Sequence, residues 1–125
     1  MDNIKFFYLY RDAGNFKKWA EIVFSNPEGL APVAITTALR RAFLEGDLFL
    51  ADQVRLPELF LYTKGHATSD DHCFHEFDAV QISLESPNDR CKRSISQFIA
   101  EAEERGRHGW VGFDPHGELG EQMLK

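Results

Sequence analysis

The run Ile4 to Tyr10, dense in aromatic and branched side chains, is followed by the turn-forming Asp12-Ala13-Gly14-Asn15 and then by a second such run, Phe16 to Phe24. Bulky aromatic and β-branched residues fit a pleated surface, whereas Asp, Gly and Asn tolerate the backbone angles of tight turns. The pattern predicts a β-hairpin, and with it an antiparallel sheet. Lys17, Lys18 and Glu21 in the second strand place one face or one edge of that sheet in water.

The next segments supply the cover. Ser25 to Gly29 breaks the strand, and Pro32 to Glu45 carries Ile35, Leu39, Ala42 and Phe43 at the spacing of one helical face. Pro32 suits the first turn of that helix and Gly46 the position past its end. Leu48 to Ala51 and Glu58 to Tyr62 read as short strands. Phe74 to Leu84 reads as a longer one with a broken phase, because Val80, Ile82 and Leu84 share one parity and Phe77 and Ala79 the other. A bulge between His75 and Asp78 would reconcile the halves. Ser86-Pro87-Asn88-Asp89 then resembles a helix start, with a stripe of Cys91, Ile95, Phe98, Ile99 and Ala102, Arg105 near the end and Gly106 as terminator.

The expected architecture is one α+β domain over residues 1–106: an antiparallel sheet of four to five strands that opens with the hairpin, and two main helices packed on one face. Residues 107–125, rich in glycine but carrying Trp110 and Phe113, are expected to pack back onto the domain. A 125-residue chain with 43% apolar and 13% aromatic residues is able to bury such a core.

Charge narrows the function classes. The net charge is −6, with six Lys/Arg against five Asp/Glu in residues 1–46 and eight against fifteen thereafter. That balance gives no help in neutralising a phosphate backbone, so nucleic acid is not an expected partner. The first residues lack the pattern of a secretory signal, and no apolar run approaches the roughly 20 residues that span a bilayer, so no membrane association is expected. Two cysteines, Cys73 and Cys91, are too few for a disulfide framework, read as free thiols, and suit a cytoplasmic protein.

The chemistry-bearing residues concentrate between His66 and Asp78. A divalent metal would draw on His66, Asp70, Asp71, His72, His75 and Glu76, a mixed nitrogen and oxygen set able to activate water for hydrolysis. Residues three apart share a helix face but oppose each other on a regular strand, so His72 and His75 diverge unless the bulge intervenes. The order His72-Cys73-Phe74-His75-Glu76 is not the two-histidine helical zinc motif. Asp70-Asp71 or Glu76/Asp78 would serve acid/base work only if one were buried enough to raise its pKa. A Cys73 nucleophile would have His72 and His75 beside it in sequence but pointing away, and Cys91 lies on an apolar stripe. No phosphate-binding glycine loop and no nucleophile elbow occurs. A different site would be an aromatic interaction surface, for which Tyr8, Tyr10, Trp19, Trp110 and Phe113 are the candidates.

Lys5-Phe6-Phe7-Tyr8-Leu9-Tyr10-Arg11-Asp12 with Asn15 and Phe16, and later Asp71-His72-Cys73-Phe74-His75-Glu76-Phe77, resemble a family of small uncharacterised bacterial proteins. The resemblance covers roughly the first 85 residues, and the last 40 look particular to this chain. It implies a bacterial, stand-alone domain and transfers no activity and no functional residues. The expected function is that of an acidic cytoplasmic module that binds another protein, as an accessory, inhibitor or immunity-type factor without catalysis. The alternatives are a divalent-metal-dependent hydrolase centred on residues 66–78, and a homo-oligomeric structural module that uses the hairpin edge or the Trp110/Phe113 tail.

Overall fold

Alternation along the first strand decides the layers of the computed structural model, which describes residues 2–63 and 65–116. In β1 (Asn3–Arg11), Ile4, Phe6, Tyr8 and Tyr10 are fully buried, while Lys5, Phe7 and Arg11 on the opposite parity are only half covered. β1 pairs antiparallel with β2 (Lys17–Phe24) through the predicted turn, where Asn15 adopts a positive φ of 68°. Its other side pairs antiparallel with β4 (His75–Ser83), which in turn pairs with β3 (Leu48–Phe49), so the strand order is β2-β1-β4-β3. The antiparallel four-stranded sheet with two helices, α1 (Pro32–Ala42) and α2 (Ile95–His108), is the α+β architecture that the sequence predicts.

The predicted bulge is present at Asp78. Phe7 faces Ala79 and Tyr8 faces Phe77, which leaves Asp78 without a partner across the ladder. The extra residue turns Phe77 to the same side of the sheet as Val80, so both pack into the core despite their opposite parity.

That core lies between the sheet and the helices. Phe6 is its centre, stacked on Phe77 at 5.4 Å and edge-on to Phe98 at 5.1 Å, while Phe24 stacks on Phe98 at 4.7 Å. Each such ring removes roughly 150–250 Å² from water, an upper bound of about 4–6 kcal/mol of transfer free energy. Ile35 and Leu39 of α1 and Ile95, Phe98 and Ala102 of α2 complete it.

Several element ends differ from expectation. α1 stops at Ala42, three residues early, because Leu44 and Leu48 exchange backbone hydrogen bonds across a tight turn in which Glu45 and Gly46 both have positive φ. The predicted strand Glu58–Tyr62 is a loop whose backbone is tied to side chains: Pro57 C=O accepts from the Tyr8 hydroxyl, and Leu59 N–H donates to His75. Leu48 to Ala51 pairs only over Leu48–Phe49, and Ala51–Val54 forms a 3₁₀ turn.

The second helix begins at Ser94, not Ser86. Ser94 and Gln97 form a reciprocal capping box. Residues 86–94 are spent otherwise. Asn88 bonds the backbone of Val23, Lys92 takes a positive φ of 55°, and Asp89 pairs with Arg93. Cys91 therefore lies outside the helix and is half-buried, not part of its stripe. Arg93 is 5% exposed and uses all five of its N–H donors: two on Asp89, one on Glu101 and one each on the carbonyls of Val54 and Arg55.

Gly106 does not end α2. It sits inside the helix where α2 crosses α1, and a β-carbon there would lie 2.7 Å from the carbonyl oxygen of Ala42. The helix ends instead at Gly109, with φ 96°. α2 thus takes in Arg107 and His108, the first residues of the expected tail, and residues 110–113 pack onto the domain. Trp110 Nε1–H donates to the Ala42 carbonyl at 3.1 Å, Phe113 meets Phe60 edge-on, and Gln53 exchanges two hydrogen bonds with Val111. Residues 117–125, the rest of the predicted tail, lie outside the described residues.

Candidate functional site

The six residues nominated for a metal do not converge: only His75 and Glu76 lie in β4, and the other four belong to the loop before it. His75 enters the core fully buried, and its Nε2 accepts from the Leu59 amide at 2.8 Å. His72 precedes the strand: its Nδ1 accepts from the Phe74 amide, which assigns the Nε2 proton to the Arg11 carbonyl at 2.7 Å. Asp71 accepts from the Tyr10 hydroxyl at 2.7 Å and the Thr68 amide at 2.8 Å. Glu76 pairs with Arg11 Nε at 2.8 Å. Asp70 is exposed and bonds Ala13 through its backbone, and His66 lies exposed in the loop. Among the described residues no group of three His, Cys, Asp or Glu side chains converges to hold a metal ion. The bulge does not change this, because Asp78 follows both histidines in the chain.

The electrostatics of the segment are structural. Burial alone would push Asp71 up, but the Thr68 amide and the Tyr10 hydroxyl outweigh it and hold the carboxyl below its usual range. Burial, reinforced by the bond to Asp71, pushes the Tyr10 phenol upward. Burial likewise raises the Cys73 thiol, the reverse of what a nucleophile needs. The phenol thus keeps its proton and the carboxyl stays ionised, so Tyr10–Asp71 persists as a hydrogen bond that fastens the loop to β1.

Burial also corrects the aromatic candidates. Tyr8 and Tyr10 are fully buried and offer no surface to a partner, because their parity faces the helices. Trp110 and Phe113 are half-buried in the contacts of the tail. Only Trp19, at 53% exposed, is open to solvent.

Trp19 belongs to the face of the sheet that carries no helix, on which Leu9 and Val23 are nonetheless buried. The register aligns Lys5 with Val23 and Gln81, Phe7 with Glu21 and Ala79, Leu9 with Trp19 and Glu76, and Arg11 with Lys17. Since β1 buries its even residues under the helices, these partners form the opposite face. At one end of it Arg11, Asp12, Ala13, Leu48, His72, Phe74 and Glu76 line a cleft of about 300 Å³. The Arg11–Glu76 pair stands on its rim, and Arg11 Nη1 also reaches the Asn15 side chain at 2.7 Å, so the guanidinium joins the hairpin turn to β4. Apolar Leu48 and Phe74 beside one ion pair make a mixed surface suited to binding a side chain.

Sequence reasoning missed Phe7, Arg11, Leu48 and Phe74 as members of one surface. The odd parity of β1 was the available signal for the first two. Leu48 and Phe74 reach the cleft only through the neighbour order β1-β4-β3, which no local pattern carries. No family model, curated protein or solved structure matches this chain.

Proposed function

We propose that the chain is a non-catalytic cytoplasmic module that binds another protein on the helix-free face of its sheet, with the terminal cleft receiving a partner side chain. The observation that supports this reading is the one-sided placement of α1 and α2: exposed Trp19 and half-buried Phe7 lie on the helix-free face, beside a cleft bearing the Arg11–Glu76 pair. Asp71, His72 and Glu76 are engaged by Tyr10, Thr68, Arg11 and Phe74 within the fold, which argues for a structural role there rather than turnover. Two free cysteines suit a reducing compartment.

A photo-crosslinking amino acid placed singly at Phe7, Leu48 or Val33 tests the reading in cells that make the full chain. Val33, on α1 and 78% exposed, is the control. Discrete adducts containing a different protein, from positions 7 and 48 but not 33, are expected. Equal labelling from all three positions, or none from the sheet face, overturns the reading.

A further inference from the structure

β2 is an edge strand whose outer side is closed at one end and open at the other. Both backbone groups of Val23 point away from β1, and both are used: its N–H donates to the Asn88 side chain at 2.8 Å and its C=O accepts from the Asn88 amide at 2.9 Å. In an antiparallel ladder outward-pointing residues alternate, so Lys17, Trp19 and Glu21 present their N–H and C=O groups on the same edge. Among the described residues none of these six groups has a backbone partner. The open stretch is bounded by Asn88 at Val23 and by the turn at Asn15, which leaves residues 16–22, centred on Trp19.

This stretch is complementary to itself. Aligned antiparallel about Trp19, it sets Lys17 against Glu21, Lys18 against Ala20, and Phe16 against Ile22. Opposite charges meet twice on the helix-free face. On the other face Phe16, 71% exposed, covers a half-buried Ile22. The two tryptophans meet on the axis. Each outward residue faces an outward residue, the condition for doubly hydrogen-bonded pairs. We propose that two copies of this chain associate through β2 in this register, about a two-fold axis at Trp19, and so join their sheets into one of eight strands. Glu21 already lies 3.6 Å from Lys5 of its own chain, and the partner's Lys17 completes a three-charge row. This proposal does not rest on the binding reading, whose crosslinks contain a different protein.

Sedimentation equilibrium of the full chain tests it. Wild type is expected to move from the 14.3 kDa mass toward twice that value as concentration rises. K17E and E21K each place like charges at both cross-strand pairs and are expected to weaken association by about tenfold. Mixed in equal amounts, the two variants restore both Lys–Glu pairs between the chains, and a heterodimer tighter than either homodimer is expected. Association driven by mere surface stickiness would not recover on mixing. A single-chain mass at all concentrations up to about 1 mM overturns the proposal, as does an unchanged affinity in both single variants.

Discussion

The Leu59 amide donates to Nε2 of His75 across 2.8 Å, which leaves the imidazole's own proton on Nδ1 within a cage formed by Tyr8, Tyr10, Phe49 and Phe60. Among the described residues Nδ1 has no hydrogen-bond partner. Burial, helped by the nearby His72 ring, brings the pKa of His75 down to about 4 from an ordinary 6.5. Below pH 6.5 the unfolded chain takes up a proton that the folded chain refuses. The contribution of His75 is therefore complete above that value and is lost progressively as pH falls toward 4, by roughly 3 kcal/mol. Urea unfolding at stepped pH should show this slope in wild type and lose it in His75→Gln, whatever the variant's absolute stability. An identical slope in both proteins would contradict the assignment.

Gly106→Ala should destabilise the fold by about 1–3 kcal/mol. In an ordinary helix interior this change gains up to about 1 kcal/mol from backbone propensity. Here the added methyl meets the Ala42 carbonyl at 2.7 Å, so α1 and α2 must separate. Thermal and denaturant unfolding give the sign, and a stabilised variant would mean that the crossing has room for a methyl group.

Asp89→Ala should cost about 3 kcal/mol, because it removes the more buried of the two carboxylates paired with a guanidinium that has almost no access to water, leaving only Glu101. Both side chains are nearly sealed, at 5% and 2% exposed, so solvent screening gives little relief. Burial alone would raise the Asp89 carboxyl, but the Arg93 hydrogen bonds prevail and hold it low. Arg93→Lys should lose most of the same stability, since an ammonium cannot supply five donors in a planar fork. Near wild-type unfolding midpoints for either variant would refute this account.

The hairpin was legible because a two-residue side-chain period and a turn sequence are both local. The bulge was legible too, for Phe77 and Val80 can share a core only if one residue is extra between them. The start of α2 was not. Ser86-Pro87-Asn88-Asp89 and Ser94 to Gln97 are both sound local beginnings, and the choice falls to contacts distant in sequence: Asn88 with Val23, and Arg93 with Val54 and Glu101. Gly106 misled for a related reason, since a glycine that ends a helix and one that admits a neighbouring helix look alike in sequence. That His72 does not join His75 was expected from strand parity, but His72 precedes β4 and is placed instead by its bonds to Arg11 and Phe74. That Tyr10 stands between the two histidines, at 5.1 and 5.7 Å from their rings, depends on how β1 lies beside β4.

Asp78 gives β4 something like a reading frame. His75 and Phe77 are in phase with the core before it, and Val80 is in phase after it, only because one uncounted residue separates them. Substitutions along the strand act one position at a time. Deletion of Asp78 would leave Phe77 and Val80 two residues apart, on the same face of a regular ladder, with both halves of the strand still in phase with the core. This interval is therefore where β4 can shed a residue without turning its apolar side chains out of the core.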